Sequence, residues 1–118
     1  MRSPLIRSTL VATVLQLAMV VTGHFSLQIA SLFALGGIGI SAVGGLLFAV
    51  WTEGKPAPAL AAKGGAIAGG LSALIGIAVS CALGDVDAGT LIYGTLASAV
   101  AGILGGFLGR ALNSRSAA

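Results

Sequence analysis

The residues able to do chemistry are few and scattered. Gln16 lies midway along an apolar run and shares a helical face with Thr9 and Thr13. An amide at that depth must face protein or water, because leaving it unbonded in hydrocarbon costs on the order of several kcal/mol. Thr9, Thr13 and Gln16 therefore form a candidate polar path. His24, Asp85 and Asp87 stand in two connections. They offer carboxylates and an imidazole for a weak metal or proton site, although solvating the connections explains them more simply. Cys81 is the single cysteine, so no internal disulfide forms, and it reads as a small apolar residue. The pairs Gly64-Gly65 and Gly69-Gly70 lack the Lys-Ser/Thr ending and the strand context of a phosphate loop.

Missing chemistry is as informative. No Asp, Glu, Lys or Arg falls in the middle of an apolar run, where ion-coupled transporters and proton relays place one. The membrane glutamate of small multidrug transporters is absent. So are the Thr-Phe-Ser stretch and the buried arginine of fluoride channels. No catalytic constellation is present, and the chain is expected to be no enzyme and to need no cofactor or metal.

The elements around these residues follow from composition. Of 118 residues, 57% are apolar and 8% are charged. A soluble domain carries about 25% charge, so this surface suits lipid. The net charge of +3 forms no basic patch, and nucleic acid is not an expected partner. Apolar runs cover residues 5–22, 27–51, 60–83 and 89–112. Each is about twice the length of a barrel strand and does not alternate. The expected fold is all-α: one domain, residues 1–118, of four transmembrane helices in two antiparallel hairpins. The first run resembles a signal peptide, with Arg2 and Arg7 ahead of it. No A-x-A-like site follows at Thr22-Gly23-His24-Phe25, so it is read as a retained helix. Thr52-Glu53-Gly54-Lys55-Pro56-Ala57-Pro58 breaks the pattern, as does Gly84-Asp85-Val86-Asp87.

Nineteen glycines remain to be explained. A helix pays about 1 kcal/mol for each relative to alanine, unless close backbone packing compensates. At 100° per residue they fall into stripes. The second helix aligns Gly37, Ser41 and Gly45. The third aligns Gly65, Gly69, Ser72 and Gly76. The fourth aligns Gly94, Ser98, Gly102 and Gly106. Bulky residues such as Leu71, Leu74, Ile92, Leu96 and Val100 lie opposite. The third and fourth helices are expected to meet through these stripes in a glycine zipper. Ser41-Ala42-Val43-Gly44-Gly45-Leu46-Leu47 also echoes Ser98-Ala99-Val100-Ala101-Gly102-Ile103-Leu104, a weak parallel repeat.

With Gly44-Gly45, Lys63-Gly64-Gly65 and Gly105-Gly106-Phe107-Leu108-Gly109-Arg110 in these places, the chain resembles the small, glycine-rich, four-helix membrane proteins of prokaryotes. The resemblance covers most of the chain and implies the layout but no activity. The leading expectation is a structural or accessory membrane protein, partnered by lipid and by copies of itself or a larger membrane complex. A passive channel or facilitator for a small solute is the alternative, and a phage-type hole-forming protein is a third. Gln16 and Ser72 discriminate. A continuous polar cavity along them favours transport, and dry burial favours a structural role.

All six cations fall beside the two termini and the middle connection, and none beside the other two. The positive-inside rule then puts both termini in the cytoplasm, with the chain in the inner membrane. A reporter fused after Ala118 is expected to be active only in its cytoplasmic form; a working periplasmic reporter there would reverse the orientation.

Overall fold

The computed structural model describes residues 3–26 and 33–113. The described residues form four helices and no strand: α1 (Pro4–Phe25), α2 (Phe33–Trp51), α3 (Pro58–Ala82) and α4 (Ala88–Leu112). α1, α3 and α4 are each long and apolar enough to cross a membrane. At 1.5 Å per residue, the 25 residues of α3 reach about 37 Å, beyond the ~30 Å of a hydrocarbon core. α2 contributes a shorter apolar helix, Leu35–Trp51. The sequence places its start at residue 27, and residues 27–32 lie outside the described part.

Local signals set the remaining ends, and they shift the expected bounds by a few residues. The Ser3 hydroxyl caps α1 by accepting from the Ile6 N–H at 3.2 Å, with Pro4 in the first turn. Prolines suit that turn because its N–H groups lack helical partners anyway. Pro58 does the same for α3, which starts two residues before the expected Leu60. α1 continues through Gly23 to Phe25 rather than stopping at Thr22, because Gly23 is a buried packing residue and not a turn. α3 stops at Ala82 in a Schellman arrangement. The Asp85 N–H returns to the Ser80 carbonyl, the Gly84 N–H returns to that of Cys81, and Gly84 takes φ +81°. Asp87 then caps α4 through the Thr90 N–H at 3.0 Å.

The helices pack around α2 and α3. Each of these two touches all three other helices, whereas α1 and α4 stand apart. The core is built from the smallest side chains. Ala12, Ala49, Ala61 and Ala68 are fully buried, together with Ser8, Ser41 and Ser72, and Phe48 and Val20 are the large exceptions. Leu, Ile and Val dominate the outside, as at Leu35, Leu71, Ile92, Leu96, Val100 and Leu104.

Glycine makes this core possible by letting backbones touch. A Cβ placed on Gly65 or Gly45 would collide with the Gly102 carbonyl, and one on Gly102 with the Gly65 carbonyl. On Gly69 it would lie 2.8 Å from the Ser98 carbonyl oxygen, and on Gly106 it would meet that of Ala61. Along α3, the partner's number in α4 falls as its own rises. α4 turns a second set of glycines to α2: Gly105 lies on the Ala42 carbonyl and Gly109 on that of Leu46. Two stripe members have other neighbours. Gly76 rests on the Gln16 side chain of α1, and Gly94 on Ile77.

Side chains fasten the end near Trp51. Arg7 sits 4.9 Å above the Trp51 ring. Arg110 Nε donates to the Pro56 carbonyl at 2.8 Å. Asn113 is buried, and its amide donates to the carbonyls of Ala49, Thr52 and Gly54 at 2.8–3.1 Å. Gly39, by contrast, has open space at its Cβ position. Gly102→Ala is therefore expected to destabilise the bundle by about 1–3 kcal/mol through overpacking. Gly39→Ala should be neutral or should stabilise it by up to about 1 kcal/mol. Unfolding of both variants in mixed micelles checks the contrast, and equal effects would refute the backbone contact.

Candidate functional site

The buried face of α1 repeats every four residues: Ser8, Ala12, Gln16 and Val20. This brings Gln16, 2% exposed, against α2 and α3. Its Nε2 donates to the Gly37 carbonyl and to Ser41 Oγ, both at 3.2 Å. Ser41 Oγ passes the chain on, donating to the Gly69 carbonyl at 3.0 Å. That same carbonyl accepts from Ser72 Oγ, also at 3.0 Å. One carbonyl of α3 thus ends a relay that crosses from α1 through α2. Each member is buried where unbonded groups are costly, so the relay fixes the rotation of three helices about their axes.

A cavity of about 750 Å³ opens beside this relay in the space where α1 and α4 stand apart. Gln16, Gly37 and Ser98 lie at its inner end. Met19, Val20, Ile38, Ile77 and Ala97 form apolar walls. Asp85, Val86, Asp87, Thr90 and Tyr93 stand at the mouth. His24 Nδ1 is 2.9 Å from Asp85 Oδ2. The N–H and the hydroxyl of Thr90 both donate to the Asp87 carboxylate and hold its pKa below the usual carboxylate value. Cys81 Sγ is 3.4 Å from the Asp87 carbonyl oxygen. The described residues bring no three metal-ligating side chains together.

A second, smaller cavity of about 310 Å³ lies at the opposite end, among Ser3, Leu5, Phe48, Thr52 and Lys63. The two share no lining residue. Between them, a Cβ on Gly44 would lie 3.0 Å from that of Ala12 and 3.6 Å from the Ala68 carbonyl oxygen. Of the three residues of the candidate polar path, Gln16 alone lines the larger cavity. Thr9 and Thr13 are half-buried, and the Thr9 hydroxyl is sealed without a partner. The fully buried residue beside it on α1 is Ser8, whose hydroxyl donates to the Leu5 carbonyl at 3.2 Å.

Sequence reasoning finds Gln16 from its depth but misses its partners. Ser41 reads as one member of a small stripe, although hydroxyl and amide at mid-run on neighbouring helices are the available signal. The cavity has no local signal, because it arises from the separation of two helices distant in sequence. The chain matches no protein-family model, no curated protein and no solved structure. Its class rests on its own features: an all-α bundle of four described helices, three of them apolar membrane-span candidates.

The relay can be tested by a double-mutant cycle. Ser41→Ala removes one Gln16 partner and one Gly69 donor, and is expected to cost about 1–3 kcal/mol. Adding Gln16→Leu should cost less than the sum of the two single changes, because no orphaned amide remains. Strict additivity in equilibrium unfolding would disprove the coupling.

Proposed function

We propose that the protein is a multi-pass inner-membrane protein with both termini in the cytoplasm. Two antiparallel helix hairpins are locked by a glycine zipper, and the bundle serves as a structural or accessory subunit of a larger membrane assembly or of its own oligomer. One observation carries this reading: side-chain size is inverted, with Gly, Ala and Ser inside and Leu, Ile and Val outside. Water would penalise such a surface, whereas acyl chains solvate it as well as protein does. Backbone contact then supplies the packing that a large apolar core supplies in soluble domains.

Two further points favour structure over conduction. Ser72 is fully buried and bonded to the Gly69 carbonyl, and the larger cavity ends at Gln16, whose nitrogen is bonded to the protein. Gly102, Gly105, Gly106 and Gly109 of α4 are covered by α2 and α3 of the same chain. Association with other subunits therefore uses the outer faces, such as that of Ile92, Leu96 and Val100 on α4, and not the stripes.

Reconstituted into liposomes, the protein is expected to leave the flux of water, glycerol and potassium at the level of protein-free vesicles. Chemical cross-linking in native membranes is expected to trap it in a discrete assembly. Solute flux that rises with protein content and disappears in Gln16→Leu would replace this reading with that of a passive facilitator.

A further inference from the structure

The cavity between α1 and α4 has a chemistry that the structural role does not require. Its mouth carries two carboxylates, Asp85 and Asp87, and no Lys or Arg is found among its lining residues. Its inner end carries an unused acceptor. Gln16 is buried and its nitrogen is committed, yet its Oε1, unlike the hydroxyls of Thr9, Ser80 and Thr95, is neither bonded nor sealed from solvent. Ser80, on the cavity wall, is 2% exposed and its hydroxyl has no partner. Between the two ends the walls are mostly apolar. Eight residues of α1 separate Gln16 from His24, which sits 2.9 Å from the Asp85 carboxylate, so the backbone rises about 12 Å between the levels of the two ends.

We propose that this cavity binds a small organic cation: a protonated amine at the Asp85–Asp87 mouth, a slender apolar body along Met19 and Ile77, and a hydrogen-bond donor at the far end facing Gln16 Oε1. The charge stays at the mouth because an ammonium group is costly to desolvate deep among apolar walls. Carboxylates suit it there, since a hydrogen bond to a charged group is stronger than one between neutral groups. An anionic ligand is excluded by the same two carboxylates. Asp87 remains ionised, held so by the Thr90 N–H and hydroxyl. A free acceptor at the inner end selects a hydroxyl or amide N–H over a plain hydrocarbon terminus. The inference concerns the cavity alone and holds for either orientation of the chain.

The test uses the full chain in lipid nanodiscs, with empty discs as the control for partitioning. The probes are 8-amino-1-octanol, octylamine and 1-octanol, followed by shifts of the Gly37, Gly76 and Gly94 amide resonances. The amino alcohol is expected to saturate these shifts, with octylamine roughly tenfold weaker and octanol weaker still. Asp87→Asn retains the helix cap, because asparagine caps as well as aspartate. It should weaken both amines roughly tenfold. Gln16→Leu should abolish the preference for the amino alcohol while leaving octylamine binding in place. Ala97→Phe, at an exposed wall position that makes no bond in the relay, should abolish saturable binding of all three probes. Shifts that never saturate would overturn the proposal, and so would equal affinity for octanol and octylamine. An Asp87→Asn variant that binds like the parent, or a Gln16→Leu variant that keeps the preference, would do the same. Binding in detergent that vanishes in lipid discs would show that an acyl chain fills the cavity, and would also overturn it.

Discussion

The bundle depends on one kind of contact: the Cα of a glycine lying against a backbone carbonyl of the next helix. Gly65 and Gly102 make it reciprocally, each against the other's carbonyl. A side chain on either would hold the helices apart and open a gap along their length. Close approach gives many weak dispersion contacts, and it brings Cα–H groups within reach of carbonyl oxygens. Neither term is large singly. Their repetition through Gly69, Gly105, Gly106 and Gly109 makes α4 fit two neighbours at once.

Close backbones restrict what else the core can hold. Ala and Ser fill most of the remaining space, and the largest side chains shielded completely are serines. Their hydroxyls need acceptors, and a helix interior offers only carbonyls already bonded once. Ser41 and Ser72 accordingly share the second lone pair region of Gly69. The Gln16 amide joins the same group from α1, where Gly37 and Gly76 leave room for it. Packing and polarity are thus coupled: the glycines that bring backbones together also admit the Gln16 side chain to the core.

Much of this was legible in the sequence, because a four-residue spacing of small residues has one geometric meaning on a helix. Gly65, Gly69, Ser98, Gly102 and Gly106 share such a spacing, and their backbones meet between α3 and α4. The stripe does not name its partner, however. Gly76 lies on the same face as Gly69, yet at its level α1 has come closer than α4. On α1 the buried face follows the four-residue steps Ser8, Ala12, Gln16 and Val20 instead of the steps through Thr9 and Thr13, since three- and four-residue spacings both return close to the side that holds Gln16. Asn113 reads as the first residue of a polar tail. Its burial depends on three carbonyls more than fifty residues earlier, which no local pattern encodes.

The placement of α4 has a consequence for how the chain is made. Ribosomes release the helices in order, and the last one supplies the glycines that both α2 and α3 require. Until it emerges, Gly45 and Gly65 lack the Gly102 carbonyl they rest on, and Gly69 has only that of Ser41. At about 5–20 residues per second, synthesis of the 25 residues of α4 takes roughly one to five seconds. For that interval α1, α2 and α3 are joined by the Gln16–Ser41–Gly69 relay and by contacts such as those of Gly44 with Ala12 and Ala68, while the surfaces that α4 covers stay open. Asn113 comes immediately after α4, and its amide reaches back to the connection before α3. The nascent chain is therefore an unfinished bundle until α4 has been made, and removing α4 takes away one wall from each of two helices rather than a peripheral segment.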